Sequence, residues 1–322
     1  MRILNTLLIA ALAIGVAPQA QAQAPAYPAK PIKIIVAYQP GQGTDVVTRY
    51  VAEQLTKELG QAIIIDNRAG AGGNLGTELA AQAPADGYTL TMGTNATHGL
   101  NQFLYSGLRF DPGRDFEPIA LVGTFPMVFA VSANSPLRSA AELVAAARAN
   151  SRSADVAMPS TTARLVVELL KDRSGVGIFG VPYKGSGSAI TDLLGGQLPA
   201  IVDTPTALRP HLAAGKLRAI GVTSQKPSSL VPGVKPVAEQ GFSDFEVVAW
   251  NALYAPKGTP APIIAALNAA LNKVLARPES RDKLLELGFE PAGGSAAQLE
   301  EFAQRERRKW EPIIKAAGIR AD

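Results

Sequence analysis

The residues that could do chemistry in this chain gather in five short segments, each falling in the pattern between a strand and a helix. The first is Gln39-Pro40-Gly41-Gln42-Gly43-Thr44-Asp45. Its glycines let the backbone turn sharply and approach a ligand, and the helix start after it offers unpaired N–H groups, a combination that favours an anion. Asp45 is awkward there, since a carboxylate repels an anionic ligand. It can cap the helix, or orient waters or a ligand amine, and a tight turn with a capped helix accounts for the loop as well. The second segment, Gly70-Ala71-Gly72-Gly73-Asn74-Leu75-Gly76, has Leu75 where a dinucleotide fingerprint needs its third glycine. No acidic residue follows the next strand at the required distance, so nicotinamide binding is not expected.

Gly93-Thr94-Asn95-Ala96-Thr97-His98 is the third segment, dense in short hydrogen-bonding side chains. The fourth is Pro159-Ser160-Thr161-Thr162, with Arg164 in the first turn of the helix that follows. Hydroxyls, a helix N-terminus and a guanidinium make a carboxylate receptor, although N-capping hydroxyls and a solvent-facing arginine use the same residues. Asp203-Thr204 ends the fifth.

Catalytic equipment is sparse. The histidines are His98 and His211, neither in a metal-binding spacing, and the chain has no cysteine. No serine lies in a Gly-x-Ser-x-Gly elbow and no phosphate-cradling Walker sequence occurs. A hydrolase using His98 as base would need a nucleophile and an orienting acid supplied by the fold. Many hydrogen-bonding loops with so little catalytic material favour binding over chemistry, with no cofactor and no metal.

These loops need elements to hold them. Ile- and Val-rich runs at residues 32–37, 62–66 and 88–93 read as strands, and helical patterns cover 44–59 and 74–83. Thr44-Asp45 is the expected cap of the first helix. The alternation continues with a strand-like 121–132, a helix at 140–149, a strand at 155–158, and helices at 163–171 and 189–194. Strands at 198–202 and 217–223 follow, and a helical C-terminal third spans roughly 260–317. Strand–helix alternation implies parallel sheets with helices on both faces and ligands beyond the strand carboxyl ends.

With 322 residues the chain exceeds the usual single core, and two domains are expected. Charged residues make up 18% and hydrophobic ones 47%, ordinary globular values. The net charge of +4 is small, and the densest basic cluster, Arg305, Arg307, Arg308 and Lys309, reads as a solvated helix face, so no nucleic acid partner is expected. Met1-Arg2, an apolar run from Ile3 to Val16, and Ala20-Gln21-Ala22 form a signal peptide pattern, with a second cleavage frame at Ala22-Gln23-Ala24. The run is too short to span a bilayer. A soluble exported protein, without ATP or reduced nicotinamide around it, is the expectation.

Several segments together carry a family resemblance: Tyr27-Pro28-Ala29-Lys30-Pro31-Ile32, Pro40-Gly41-Gln42-Gly43-Thr44-Asp45 and Asp66-Asn67-Arg68-Ala69-Gly70-Ala71-Gly72-Gly73-Asn74. Asp86-Gly87-Tyr88-Thr89-Leu90, Val181-Pro182-Tyr183-Lys184-Gly185, Asp192-Leu193-Leu194-Gly195-Gly196-Gln197 and Ala214-Gly215-Lys216-Leu217-Arg218 extend it in the same order. The chain closely resembles the Bug (TctC) family of periplasmic solute-binding receptors of tripartite tricarboxylate transporters. The resemblance implies an α/β fold, a two-domain periplasmic-binding-protein clamshell (Venus flytrap) with mixed, mostly parallel sheets flanked by helices. It implies a signal peptide at 1–24, a first domain of 25–122 plus 247–322, and a second of 123–246.

It also implies a small organic acid ligand held by the first and third loops, partly through water. The matching positions are Tyr38, Gly41, Gly43, Thr44 and Asp45, then Gly93, Thr94 and Thr97. The second domain departs from the family pattern: its Gly-rich loop is shorter, Thr161 aligns with the usual contacting serine beside Ser160, and Arg164 stands where a histidine is usual. Arg164 is expected to meet a second carboxylate, and Asp203 completes the candidate site. A monomeric periplasmic receptor delivering its ligand to a membrane permease, without cofactor or catalysis, is the resulting expectation. The rival readings are an exported hydrolase of organic acid derivatives and a ligand-sensing subunit for a sensor kinase.

Overall fold

Apolar β-branched residues begin the fold. Ile32–Val36 (β1) buries every side chain but Lys33 and sits between two parallel neighbours, Ile63–Asn67 (β2) and Thr89–Thr94 (β3). The structure, a computed structural model, describes residues 27–150 and 154–321; the signal peptide expected at 1–24, with both cleavage frames, lies outside the described residues. Between β1 and β2 runs Gly43–Leu59 (α1), which ends at Gly60 in the left-handed conformation glycine adopts without strain. Its N-cap is Gln42, with no side-chain cap, so the capping expected of Thr44-Asp45 is not what starts this helix. Asn74–Ala81 (α2) leads to β3. The segment after β3 is not an open loop: it winds into one wide π turn, Ala96–Leu100, continued by Asn101–Leu104 (α3), and is buried throughout the π turn.

The chain then crosses to a second sheet. Phe116–Pro126 (β4) belongs to the first sheet and Val128–Ser132 (β5) to the second, with Met127 between them. Around β5 gather Ala140–Ala149 (α4), Val156–Met158 (β6), Thr161–Ser174 (α5), Gly180–Pro182 (β7), Ser186–Leu194 (α6), Ala200–Asp203 (β8), Pro205–Ala213 (α7) and Leu217–Val222 (β9). Val248–Pro256 (β10) returns to the first sheet, followed by Ala261–Ala276 (α8), Pro278–Glu286 (α9), Glu290–Gly293 (β11) and Ala296–Ala316 (α10). The strand orders are β11-β4-β10-β3-β1-β2 and β7-β6-β8-β5-β9. Both sheets are mixed and flanked by helices, so two sheet-centred lobes face one another. Among the described strands, parallel ladders join β2·β1·β3 and β7·β6·β8; β10 is antiparallel to both β3 and β4, and β5 to both β8 and β9. The antiparallel share exceeds the expectation because the connecting strands β4, β5 and β10 do not arrive through helical crossovers.

Short side chains fix the helix starts that border the space between the lobes. Ser160 accepts the Ala163 N–H to start α5, and Thr204 accepts the Ala207 N–H to start α7. Trp250, Tyr254, Phe129, Phe245 and Phe289 are the largest fully buried side chains. Two of them come from β10, which threads the middle of the first sheet. Among the described residues no helix is long and apolar enough to cross a membrane.

Candidate ligand-binding cleft

The ends of β1, β3, β6 and β8 open toward one another across the gap between the lobes. There they leave a cavity of about 470 Å³. Its walls include Tyr38 and Gln42 from the first lobe, Ser160, Thr161 and Arg164 from the second, and the glycine-rich segment Gly70 to Gly73. A second, inner space of about 30 Å³ lies deeper, against Gly43, Thr44, Thr94, Asp203 and Asn251. Tyr38, Gln42 and Ser160 border both spaces.

The glycine-rich segment serves close approach. Gly72 has φ of +64°, and a Cβ there would collide with the Tyr105 and Thr161 hydroxyls. Only glycine lets the first lobe's backbone sit against the second lobe's Thr161, a role unrelated to phosphate binding.

The expected site residues divide into two groups. Tyr38, Gly43, Thr44, Thr94, Ser160, Thr161, Arg164 and Asp203 all line one or both spaces. Tyr38 and Thr94 share a hydroxyl–hydroxyl hydrogen bond of 2.8 Å, and burial pushes the Tyr38 phenol up to about 12. Gly41, Asp45, Gly93 and Thr97 line neither space. A Cβ on Gly93 would strike His98 and Tyr254, so its smallness serves packing. Thr97 Oγ1 accepts the Thr94 N–H at 3.0 Å, holding Thr94 in place.

Asp45 is used up inside its own lobe. Its carboxylate accepts the Gly41 N–H at 2.9 Å, Arg49 Nε at 3.0 Å and the Asn67 amide at 2.8 Å, with Arg49 also at 2.9 Å on the second oxygen. Burial pushes this carboxyl up, but the Arg49, Gly41 and Asn67 donors outweigh it and hold it below the usual range. These contacts clamp the β1–α1 turn to the end of β2. Asp45→Ala, which orphans the Gly41 and Asn67 donors, will lower unfolding free energy by about 2 kcal/mol in urea titrations. An unchanged midpoint would show that the clamp contributes nothing.

Arg164 Nη1 donates to the Ala321 carbonyl at 2.9 Å, so one of its five N–H groups is engaged with the first lobe's C-terminal segment while the side chain still borders the outer space. His98 offers nothing to a hydrolytic reading. It is fully buried, stacked on Tyr254 with centroids 4.1 Å apart, and hydrogen-bonded to Thr97 at 2.9 Å. Burial, then the nearby Arg307, push its imidazole down to about 3.

Several lining residues were not anticipated. Gln42 reaches across the gap, its amide donating to the Pro159 carbonyl at 3.2 Å. Lys184 lies within a motif that carried the resemblance, yet its position on the cleft wall follows only from the fold. Asn251 and Ser186 had no local signal. Arg164 and Lys184 are the charged side chains on the outer wall among the described residues, and no carboxylate is there. The starts of α1, α5, α6 and α7 converge on the two spaces, directing the positive ends of four helices into the gap.

Comparison with known proteins agrees with this geometry. The family described as "Tripartite tricarboxylate transporter family receptor" (TctC) matches residues 47–319. Protein BugT of Bordetella pertussis is 34% identical over 98% of this chain and 98% of its own length. The solved structure of Rhodopseudomonas palustris Rpa4515 with adipate superposes with a TM-score of 0.88 at 34% identity, covering 91% of this chain and 99% of that one. MatC from the same organism with bound malate gives 0.84 at 32% identity, over 89% and 100%. The periplasmic binding protein BugD gives 0.86 at 30% identity, over 92% and 100%. Two facing sheet-centred lobes, a polar cleft between them and a match over most of the length make this chain a member of the tripartite tricarboxylate transporter receptor family, with the solute-binding role of that family.

Proposed function

We propose that the protein captures a small organic acid in the cleft between its lobes, in the periplasm, and delivers it as a monomer to the membrane permease of a tripartite tricarboxylate transporter. The observation that carries this reading is the charge of the cleft wall. The starts of α1 and α5, with Arg164 and Lys184, border the outer space without an opposing carboxylate, an arrangement that attracts anions. Relatives whose structures are solved with adipate and with bound malate support the acid class. Tyr38, Gly43, Thr44, Thr94, Ser160, Thr161 and Arg164 are the proposed contacts. The lobes hinge where the chain passes between sheets, near Met127 and again between β9 and β10. Ligand touching both lobes stabilises the closed arrangement over the open one, and the closed face is what a permease reads. The chain acts without catalysis, a reading supported by the burial of His98 away from the cleft.

A thermal-shift screen of the mature protein against mono-, di- and tricarboxylates tests this. A true ligand at a hundredfold excess over Kd adds about 2.7 kcal/mol and raises the melting temperature, whereas no response to any acid would overturn the reading. In Arg164→Ala, affinity for a responding dicarboxylate falls about tenfold and for a matched monocarboxylate by less than threefold, because a charge-assisted bond is lost at one end only. Equal losses would remove Arg164 from the contacts.

A further inference from the structure

Charge is spread unevenly over the second lobe. Residues 204–238 carry Arg209, Lys216, Arg218, Lys226 and Lys235 but no aspartate or glutamate. These cations outnumber the net charge of +4 on the whole chain, so the remainder is close to neutral. Among the described residues none of them forms an ion pair. Lys226 borders a hollow that also holds Glu246 and Glu290, and the others have no such neighbour on their own segment. The segment folds into α7, β9 and the turn-rich stretch after them, and between these lies a groove of about 450 Å³. Leu212, Leu217, Leu230 and Val234 are among its apolar walls, Arg209 and Arg218 are its charged residues, and no acid lines it. Lys216 and Lys235, both exposed, adjoin lining residues in the chain. The groove shares no lining residue with either space of the ligand cleft.

Two observations say what belongs there. Both arginines are held by backbone carbonyls and not by carboxylates. Arg209 Nη2 donates to the Leu230 carbonyl at 3.2 Å and to the Leu285 carbonyl at 3.1 Å. Arg218 Nη1 donates to the Ser135 carbonyl at 3.4 Å, and its Nη2 to the Ala133 carbonyl. Neutral carbonyls fix a guanidinium without cancelling its charge, and each arginine has further N–H groups to offer. Glu286, next to Leu285 in the chain, is taken up by Lys283 within α9. The second observation is an open sheet edge. Leu217, Arg218 and Ala219 all line the groove, and three consecutive strand residues do so at an edge, since successive side chains point to opposite faces. β9 ends the strand order of its sheet, and the bridge on its outer side, Val222 with Pro236, involves no lining residue. An extended chain adds to such an edge through its main chain and sends alternate side chains into pockets.

We propose that this groove docks an extended, acidic stretch of the membrane permease, whose carboxylates meet Arg209 and Arg218 while its apolar side chains fill the space between them. This rests on the delivery role proposed above and names the surface that performs it. Anionic lipid suits the groove less well: both arginines are half-buried in a concave wall, which a chain enters and a flat bilayer does not. Arg209 links the groove to the state of the cleft. Its carbonyl partners, Leu230 and Leu285, belong to different lobes, so its guanidinium is set in place when the lobes are together.

Calorimetry on the mature protein with two blocked nonapeptides tests the groove, one alternating glutamate with leucine and the other lysine with leucine. At low salt the acidic peptide binds about tenfold tighter than the basic one or better, and added salt weakens it. In Lys216→Glu/Lys235→Glu this affinity falls about tenfold, while that for the acid in the cleft stays within about twofold. Arg218→Gln, which keeps an amide donor for the nearby carbonyls, lowers peptide affinity by a similar factor, and it decides the matter if the double variant does not fold. A second arm measures uptake of the acid by cells that lack the chain and carry each variant in its place. Uptake falls about tenfold in the double variant although the acid is still bound. Undiminished uptake there would overturn the docking surface and leave the acid-receptor reading standing. Equal binding of the two peptides would overturn it too. So would binding to phosphatidylglycerol vesicles, lost in the double variant, when neither peptide binds, since the face would then meet lipid. A wild type that neither binds nor takes up any acid would sink the receptor reading and, with it, the permease as occupant.

Discussion

A Gly43→Val variant will bind its acid at least about fivefold more weakly than the wild type and will fail to contract on ligand addition. Gly43 is the first residue of α1, and it meets the N-cap of α7 on the opposite lobe. A Cβ at Gly43 would lie 2.7 Å from Thr204 Oγ1, 3.2 Å from its Cβ and 3.3 Å from its Cγ2. Rotating the threonine cannot clear all three atoms, so the valine acts as a wedge between lobes. Overpacking of this kind costs roughly 1–3 kcal/mol, and here the lobes can relieve it by standing apart. The cost then falls on the liganded state, which needs them together, and a penalty in that range weakens binding by about five- to 150-fold. Small-angle scattering gives the second readout: the radius of gyration falls on saturation in the wild type and stays constant in the variant. Adding Thr204→Gly, which keeps a tolerated N-cap residue, restores both properties. Wild-type contraction in the single variant would show that this contact does not limit closure.

The second large effect lies in two buried groups that titrate in opposite senses. Burial, then Arg307, push the His98 imidazole from 6.5 down to about 3. The unfolded chain therefore takes up a proton that the folded one refuses, and the contribution of His98 is complete above pH 6.5 and lost as pH falls toward 3. Burial pushes the Asp203 carboxyl from 3.8 up to about 6, against the pull of Ser186 and the Thr204 N–H. Its folded state keeps a proton that the unfolded chain has released, so its contribution is complete below pH 3.8 and lost as pH rises through 6. Between pH 4 and 6 each is worth roughly 2–3 kcal/mol, and they offset one another in the unliganded wild type. His98→Phe, which keeps an aromatic ring against Tyr254 and Phe116, removes the acid-side loss; its stability relative to wild type improves as pH falls from 6 to 4. Asp203→Asn, which keeps the Thr204 bond, improves relative to wild type as pH rises over the same interval. Urea titrations of the three proteins at pH 4, 5 and 6 read both trends directly. Curves for both variants that run parallel to wild type would mean that neither group is shielded from water.

The parts of this architecture visible beforehand are those with strong local causes. Ile32 to Val36 is dense in β-branched residues, and Ser160 and Thr204 are good N-caps, so their elements and loops were legible. β10 was not. Val-Ala-Trp-Asn-Ala-Leu-Tyr-Ala-Pro alternates nothing, because the strand is buried on both faces, and its three alanines and Asn251 are poor strand formers. With that strand missed, Asn251 could not be connected to the cleft. The π turn after β3 follows from tertiary packing of His98 between Phe116 and Tyr254, which no neighbouring residue announces. Asp45 was visible as a residue of the right loop but not as one turned inward, since its partners Arg49 and Asn67 converge only once α1 lies beside β2.

Tyr38, Gln42 and Ser160 stand between the inner space and the outer one, and they belong to different lobes, with Gln42 bonded across the gap to Pro159. Whatever passes from the inner space to the outer one therefore moves between side chains of both lobes, and separation of the lobes eases its exit. Its residence time then depends on the frequency of opening as well as on the strength of its contacts, as for other proteins whose release involves a conformational step. Two ligands of equal affinity can then differ widely in dwell time. The one reaching past Gln42 behaves as held cargo, surrendered when a permease pries the lobes apart, while the one resting outside leaks away in solution.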